Sequence, residues 1–327
     1  MNAANRRPGF TLVELLTVIA IISLLIGILV PSLSRARDQA KAAQTSGQIS
    51  SLTKACEMFF NDFQGYPQSS GQNPFEQSAN ARLAGAQWLA LTLVGADRRG
   101  YVKPETRNDT NNDGAITYQD WLNWYMPPPA QQYTRLGPYM DTGARISTPE
   151  SYARDNTAAG VMPAVFAQGT SVWKNTNIPF FTDSWEFPIL YYAANRGAAD
   201  PFTVTFGRRA TAGIYDQNDN FGFTGTDTAG LGSGGATERG WDLGSGQPTA
   251  PGLGNLNHPL GRFGYDSNQP TQRPVQPSFA HSVYDEKIFD TAQGRVWPRN
   301  PDSFILVSPG KDGWYGTDDD ITNLAKQ

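Results

Sequence analysis

The sequence predicts an α+β protein in which one long N-terminal helix precedes a loop-rich domain with short strands. Residues 10–63 keep helical spacing throughout, first as an uncharged run and then as an amphipathic pattern. Segments rich in aromatic and β-branched residues, at 188–195, 202–206 and 303–308, are typical of strands. The chain also contains 33 glycines, 23 prolines and 8 tryptophans, a composition that favours loops and partial β structure over a helical bundle.

Size, charge and residue usage exclude several classes of function. At 327 residues the chain is long enough to bury a substantial core in one large domain or two ordinary ones. Its formal net charge of -4 provides no basic surface for nucleic acid, so we expect no nucleic-acid partner. The single cysteine, Cys56, excludes an internal disulfide and a multi-thiolate metal site. With only 2 histidines and no metalloprotease or nucleophile-elbow motif, the chain is not expected to be an enzyme.

The first part of the long helix has the length and composition of a membrane span. Residues 15–34 carry no charge, and about 20 helical residues cross a hydrocarbon core of about 30 Å. A cleavable secretory signal has a shorter apolar core, of roughly 7 to 15 residues. The sequence therefore predicts a single helix with a membrane half at 10–34 and an amphipathic half at 35–63. Pro31 lies between the halves and, because it lacks a backbone donor, is expected to bend the rod.

Beyond Phe63 the helical pattern stops and a mixed region begins. A short apolar segment at 81–96 favours a second helix. The stretch 221–264 is rich in glycine and poor in aliphatic residues, so we expect it on the surface and not in the core.

The segment RRPGFTLVE, residues 6–14, carries the most specific motif in the chain. Gly9 is followed by Phe10, a hydroxyl residue, two aliphatic residues and Glu14, immediately before the apolar run. This junction resembles the leader of type IV pilins and type II secretion pseudopilins, and Pro31 falls at the family's position for a helix-bending proline. The resemblance implies that a prepilin peptidase/N-methyltransferase cuts after Gly9 and methylates Phe10.

Glu14 places a carboxylate at the start of the apolar run. An isolated carboxylate in hydrocarbon costs about 2.5–3.5 kcal/mol, so this residue requires a partner. In the family that the motif resembles, the partner is the N-terminal amine of a neighbouring subunit, which exists only after the leader is cut. The resemblance thus implies that Glu14 sets the register of helices in a filament.

Basic residues flank the span on both sides: Arg6 and Arg7 before it, and Arg35, Arg37 and Lys41 after it. The positive-inside rule therefore leaves the orientation open. The resemblance implies a single-pass protein of the inner membrane, with a cytoplasmic leader, a periplasmic or otherwise extracytoplasmic C-terminal domain, and a filament state after assembly.

The segment DTNNDGAITYQD, residues 109–120, has the spacing of an EF-hand calcium loop. Gly114 stands at the sixth position, where such a loop turns sharply. The usual glutamate at the last position is replaced by aspartate, which resembles the loops of dockerin modules and could leave only one oxygen for the ion. A turn rich in Asn and Asp without a metal is the alternative. The candidate calcium ligands are Asp109, Asn111, Asp113, Ala115 through its carbonyl, Thr117 and Asp120.

A second acidic segment lies near the C-terminus, in SPGKDGWYGTDDDITN, residues 308–323. Asp318, Asp319 and Asp320 repel one another unless they are solvated or bridged by a cation. A solvated acidic turn is the simpler interpretation. The segment also resembles the calcium loop of the major pseudopilin of type II secretion, in which Asp312 and Asp320 match family positions and the other two are additional candidate ligands.

Residues 183–192, DSWEFPILYY, resemble the DPWGNPYxY segment of the same pseudopilins, with Ser184 and Glu186 in place of proline and glycine. Resemblance at both ends of the chain favours the secretion branch, the G-type pseudopilins, over the adhesive pilus branch. It implies a pilin-like α+β fold, in which the long helix packs on a small antiparallel sheet and large loop-rich insertions follow.

The predicted organisation is a leader at 1–9, a membrane and filament-core helix at 10–34, its amphipathic continuation at 35–63, and an extracytoplasmic domain at 64–327 with insertions at about 65–181 and 207–301. The resemblance implies two partners besides the peptidase, namely other pseudopilin subunits in a homo-oligomeric filament and the inner-membrane secretion assembly platform. Two alternatives stay open: a type IV pilus or surface filament subunit that binds a partner or polysaccharide, and an extracytoplasmic enzyme on a pilin anchor.

Overall fold

The computed structural model describes residues 12–75, 83–103, 107–110, 112–125, 133–141, 143–148, 178–197, 214–224, 260, 279–290 and 295–324. The longer helices in this part of the chain are α1 (Leu12–Phe63), α2 (Gly85–Val94) and α3 (Tyr118–Tyr125). The strands are β1 (Tyr101–Val102), β2 (Arg135–Leu136), β3 (Ile146–Ser147), β4 (Phe180–Phe181), β5 (Leu190–Ala193), β6 (Tyr284–Asp290), β7 (Arg295–Pro298), β8 (Phe304–Ser308) and β9 (Ile321–Thr322). Short helical turns occupy Gln217–Asn220, Phe221–Thr224 and Phe279–Val283.

Helix α1 confirms the long N-terminal helix over its 52 described residues and continues through Pro31. Its apolar half is exposed along its whole length. Its amphipathic half buries one face, whose members are spaced three or four residues apart so that they lie above one another. That face consists of Thr45, Ile49, Leu52, Ala55, Cys56 and Phe59.

The central sheet is antiparallel and has the strand order β5, β8, β9. In its main pair, Leu190 lies opposite Val307 and Tyr192 lies opposite Ile305. Both strands confirm the strand predictions at 188–195 and 303–308, whereas the third predicted strand, at 202–206, lies outside the described residues. The strand β9 then pairs with the end of β8 and contacts α1.

Both faces of the β5–β8 pair are buried, because alternate side chains enter two different cores. Tyr191 and Leu306 face the core that contains the amphipathic half of α1. Tyr192 and Ile305 face a second core. The observed architecture is therefore α+β and pilin-like, with the long helix on one face of a small antiparallel sheet.

The second core is built largely from a part of the chain that the sequence indicated as an insertion. It includes Ile214, Tyr215, Phe223, Leu260, Phe279, Val283 and Tyr284, all buried. Phe223 and Leu260 belong to the glycine-rich stretch 221–264, so the expectation of a purely surface location was wrong for these two residues. The high glycine content of the stretch gave no indication of these two residues. A single large apolar residue can still join a core that other segments have formed.

Helix α2 confirms the predicted helix within 81–96 and is buried along its whole length. It begins with Gly85, which approaches β5 so closely that an added Cβ would lie 2.1 Å from the carbonyl oxygen of Tyr191. Asn220 secures the same contact: its Oδ1 accepts a hydrogen bond from the amide of Ala86 at 3.0 Å, and its Nδ2 donates to Tyr191 O at 2.8 Å. The amide side chain thus satisfies a helix N-terminus and a strand carbonyl together.

We expect Gly85→Ala to destabilise the chain by about 1–3 kcal/mol, because the new methyl group meets backbone and not a movable side chain. Gly47→Ala is the matched control, since Gly47 lies in α1 and nothing lies within 4 Å of the position that its added methyl group would take. That control should be neutral or stabilising by roughly 0.5–1 kcal/mol through helix propensity. Thermal unfolding of the full chain in mild detergent measures both, and equal effects of the two substitutions would contradict the close approach.

Candidate functional site

The membrane half of α1 projects from the domain with its large apolar side chains exposed. Leu12 is 73% exposed and Leu33 is 66% exposed. Helix α1 is long and apolar enough to cross a membrane, by its length and composition. Glu14 lies in its first turn, and its carbonyl oxygen accepts a hydrogen bond from Thr17 Oγ1 at 2.9 Å. Gly9 and Phe10, the predicted processing residues, lie outside the described residues.

A series of polar contacts docks the next part of α1 on the segment that precedes β5. Gln48 Nε2 donates to the carbonyl oxygen of Thr182 at 2.9 Å. The amide of Ser184 donates to Thr45 Oγ1 at 3.1 Å, and its hydroxyl contacts Gln44 Oε1 at 3.1 Å. Side chains of the helix thereby satisfy backbone groups of a loop that would otherwise be buried without partners.

Two further contacts hold α1 nearer to the membrane half, one with the C-terminal loop and one with the segment before β5. Lys311 Nζ lies 2.6 Å from Asp38 Oδ2. One turn later, Lys41 Nζ lies 5.9 Å from the ring centroid of Trp185. Exposed ion pairs and cation–π contacts each contribute up to about 1 kcal/mol. The first contact therefore positions the C-terminal loop, and the second positions the segment before β5, more than they stabilise the fold.

Asp183 connects this helix-docking segment to β8. It is buried, its Oδ2 accepts from Ser308 Oγ at 2.7 Å, and its Oδ1 accepts from the amides of Trp185 and Phe187 at 2.8 and 2.9 Å. Burial raises the pKa of Asp183 to about 6 although these donors oppose the shift. Within the same turn Glu186 has φ +73, a left-handed conformation that favours glycine, at the position where the resembled segment has glycine.

The C-terminal acidic loop between β8 and β9 folds around its own carboxylates. Asp319 Oδ2 accepts hydrogen bonds from the amides of Lys311 and Asp312, at 2.8 and 3.1 Å. Asp319 Oδ1 accepts from Thr317 Oγ1 at 2.7 Å. The fourth acidic residue of the loop, Asp318, is exposed to solvent.

Asp320 has the carboxylate oxygen of this loop that is both buried and without a donor. Its Oδ2 accepts from the amide of Gly316 at 2.7 Å, whereas its Oδ1 is buried and has no hydrogen-bond partner. Burial, and then the charges of Asp312 and Asp319, raise the pKa of Asp320 well above its ordinary value. A buried carboxylate oxygen without a donor, beside two more carboxylates, is the chemistry that a hard cation satisfies.

The EF-hand-like loop shows the predicted sharp turn. Gly114 has φ +86, and its amide donates to Asp109 Oδ2 at 2.7 Å. The amide of Ala115 donates to Asp113 Oδ1 at 2.9 Å. Asn111, one of the candidate ligands, lies outside the described residues.

Asp120 has a structural role in this loop that the sequence did not reveal. Its Oδ1 accepts from the amide and hydroxyl of Thr110, at 2.7 and 2.6 Å. Its Oδ2 accepts from the amide and hydroxyl of Thr117, at 2.8 and 3.0 Å, which caps the start of α3. Burial opposes ionisation, but these bonds outweigh it and lower the pKa of Asp120 to about 2. Calcium ligation by Asp120 would have to replace or share these bonds.

The two acidic loops therefore differ in how well they fit a cation. Across the described ranges, no three His, Cys, Asp or Glu side chains are already arranged as a metal-binding group. The EF-hand-like loop satisfies Asp120 internally, whereas the C-terminal loop leaves Asp320 Oδ1 without a donor. The sequence motif was more specific for the EF-hand-like loop. In the structure, however, the C-terminal loop is the better fit for a cation.

Known proteins resemble this chain at its N-terminus and along part of its length. The prokaryotic N-terminal methylation motif matches residues 4–30. At its N-terminus the chain therefore resembles type IV pilin-like proteins. It is 27% identical over 113 residues to type II secretion system core protein G of Escherichia coli (strain K12), a match that covers 35% of this chain and 73% of that protein.

A second relative supports the same branch of pilin-like proteins. Type II secretion system core protein G of Pseudomonas aeruginosa (strain PAO1) is 33% identical over 63 residues, which covers 19% of this chain and 44% of that protein. No solved structure matches the chain. The resemblance to G-type pseudopilins is confirmed, and the apolar helix with its methylation motif fits a single-pass inner-membrane anchor.

The residues that join α1 and β8 to the neighbouring loops carried little sequence signal. Asp38 and Lys311 are 273 positions apart, and each is an ordinary charged residue in its own segment. Asp183 belongs to the segment that resembles pseudopilins, but nothing in its sequence neighbours indicated that it would accept a hydrogen bond from Ser308. Only the folded chain places these residues together.

The raised carboxylate pKa values predict a specific pH dependence of stability without added cations. Burial raises the pKa of Asp183 to about 6, and desolvation within the loop and the charge of Asp319 raise the pKa of Asp312 to about 6. Because Asp312 is exposed, solvent screens its contribution, which is smaller than that of buried Asp183. An acid whose pKa is higher in the folded state binds its proton more tightly there, so its contribution to stability is complete below about pH 4 and is lost as the pH rises through about 6. We expect the full chain in chelator to unfold at a higher temperature at pH 5 than at pH 8.

Thermal unfolding at pH 5, 6, 7 and 8 tests this, with Asp312→Asn expected to flatten part of the profile. Asp318→Asn is the matched control, because it removes a charge from an exposed position of the same loop. A Tm that rises from pH 5 to pH 8 in chelator would show that the pKa values of these carboxylates are not raised in the folded chain.

Proposed function

We propose that this chain is a structural subunit of a type II secretion pseudopilus and not an enzyme. The observation that carries the proposal is the prepilin-type motif joined to an apolar helix half that is exposed along its whole length. An apolar helix surface of this kind requires lipid or other helices around it. The similarity to two type II secretion core proteins supports the secretion branch.

Assembly would use the first residues of the mature chain. Cleavage after Gly9 by a prepilin peptidase/N-methyltransferase would create an amine on Phe10, and methylation keeps that amine positively charged. Glu14 of a neighbouring subunit would pair with it, because the ion pair removes the cost of an isolated carboxylate in an apolar environment. This pairing would fix the axial offset between helices, while Pro31 would adjust the packing further along.

The location follows from the same argument. Before assembly the subunit would span the inner membrane once, with the leader in the cytoplasm and the domain outside it in the periplasm. Other copies of the subunit, an inner-membrane assembly platform and the peptidase would be its partners. The domain would coat the outside of the filament, since α1 docks on it through only one face.

We also propose that the C-terminal acidic loop binds calcium. Asp312, Asp319 and Asp320 would supply carboxylate oxygens, and Asp318 is an additional candidate at the exposed edge of the loop. The unpartnered Oδ1 of Asp320 supports this proposal more strongly than the acidic composition does. Bound calcium would supply the positive charge that offsets their mutual repulsion.

The EF-hand-like loop is proposed as a second, weaker calcium site. Asp109, Asp113 and the carbonyl of Ala115 have the required spacing, and Gly114 provides the turn. Asn111 and Thr117 complete the set by sequence position. Asp120 would bind only by sharing its hydrogen-bonded oxygens, which predicts an affinity lower than that of a loop with glutamate at this position.

Processing can be tested by intact-mass measurement of the membrane-extracted chain from cells that contain a prepilin peptidase. We expect loss of residues 1–9 and one added methyl group on Phe10. Gly9→Val should leave the leader attached, because the peptidase acts after that glycine. Glu14→Gln should be cut normally but fail to assemble, since the substitution removes the charge and not the cleavage site. An uncut wild-type chain in such cells would refute the processing proposal.

Calcium binding can be tested by thermal unfolding of the full chain with and without calcium. A ligand at a hundredfold excess over its Kd stabilises the folded state by about 2.7 kcal/mol, so a clear rise in Tm is expected. Asp320→Asn should remove most of this rise and Asp113→Asn a smaller part. Asp318→Asn is the control within the same loop and should keep most of it. If calcium shifts the Tm of the Asp320 and Asp113 variants as much as that of the wild type, neither loop binds it.

A further inference from the structure

A collar of basic side chains follows the membrane half of α1. Arg35, Arg37 and Lys41 come directly after the uncharged residues 15–34, and we refer to the three as the basic collar. Arg35 and Arg37 are exposed, and within the part of the chain that the structure describes neither forms an ion pair. These two exposed cations beside the membrane span therefore have no ion-pair partner among the described residues.

The length of the span places the collar at the depth of lipid headgroups. Residues 15–34 as helix extend about 30 Å, which matches the hydrocarbon thickness of a bilayer. The rise from Arg35 to Lys41 is about 9 Å, comparable with the headgroup layer on one side of the membrane. The lipid phosphates therefore lie at the level of the collar.

The directions of the two arginines distinguish a lipid partner from a protein partner. Arg35 and Arg37 are two residues apart, so their side chains leave the helix in directions about 160° apart, on nearly opposite sides. A single neighbouring protein contacts one side of a helix and so engages at most one of the two arginines. Lipid headgroups surround the helix and can engage both.

The neighbouring charges of the domain are consistent with this placement. Asp38, the acidic residue inside the collar, is paired with Lys311 and so contributes no unopposed negative charge. Trp185 packs near Lys41 at the same level, and tryptophan is enriched at membrane interfaces. The acidic loop that contains Lys311 would repel anionic lipid, and this repulsion falls when the loop binds a cation.

We propose that the basic collar binds the phosphate groups of anionic phospholipids in the leaflet that faces the domain. The assignment to that leaflet rests on the orientation given under the proposed function. Leader removal would take away Arg6 and Arg7, so the collar would become the main basic anchor of the mature span. Contact with headgroups also compensates for basic residues at the end of the span that the positive-inside rule disfavours.

Native mass spectrometry of the full chain, released from nanodiscs with equal amounts of phosphatidylglycerol and phosphatidylcholine, tests the proposal. Calcium is present in every sample, so that the acidic loop is in one state. We expect the wild-type chain to retain phosphatidylglycerol preferentially, and Arg35→Gln/Arg37→Gln to lose that preference several-fold, up to about thirtyfold. Lys54→Gln is the matched control, since Lys54 is an exposed cation on the same helix about 25 Å further from the span.

Equal retention of the two lipids by the wild-type chain would overturn the proposal. So would an unchanged preference in the double variant, and if that variant also fails to form filaments, the arginines bind a neighbouring subunit. Circular dichroism in the same nanodiscs shows whether the double variant keeps its helix content. The experiment needs neither leader cleavage nor filament assembly, so its failure would leave the proposed function intact, and failure of the processing test would leave this result interpretable.

Discussion

The pairing of β5 with β8 is the interaction on which the rest of the described structure depends. Its four residue pairs satisfy the backbone groups of two strands that are buried on both faces. A strand buried on both faces cannot alternate apolar and polar residues, and Leu190 to Tyr192 are accordingly all large and apolar or aromatic. Each face then requires its own cover. Helix α1 covers one, and segments distant in sequence cover the other.

Helix α1 joins two environments that impose opposite requirements on its surface. The membrane half exposes apolar side chains and is stable only among lipids or other helices. The amphipathic half keeps a narrow apolar stripe and meets the domain through polar contacts from Gln44, Thr45 and Gln48. Because a helix satisfies its own backbone, it can pass between these environments without interruption. The ion pair between Asp38 and Lys311 lies just after the membrane half, where α1 first contacts the domain.

The two acidic loops show why spacing of carboxylates alone does not define a metal site. In the EF-hand-like loop, hydrogen bonds from Thr110 and Thr117 satisfy both oxygens of Asp120 and favour its ionised form. In the C-terminal loop the chain brings several carboxylates together with too few donors, which leaves Asp320 Oδ1 buried and unpartnered. The number of hydrogen-bond donors around the carboxylates distinguishes the two loops. A ligand-spacing pattern in the sequence does not show where threonine hydroxyls or backbone amides will lie.

The sequence alone determined the features that local physics encodes. Hydrophobic periodicity indicated α1 and α2, β-branched and aromatic runs indicated β5 and β8, and the order of Gly9, Phe10 and Glu14 indicated the prepilin-type leader. Each of these signals lies within a few turns of helix or within one strand, so it can be recognised in the sequence without knowledge of the tertiary structure.

Only the tertiary structure decided which distant segments complete the molecule. It placed Phe223 and Leu260 in the second core, brought Gly85 against the backbone of Tyr191, and joined Lys311 to Asp38 across 273 positions. Such contacts form when the loops between the segments close. The entropic cost of closing a loop changes only slowly with its length, so loop length does not determine which segments meet. The local pattern around each residue therefore contains no record of its partner.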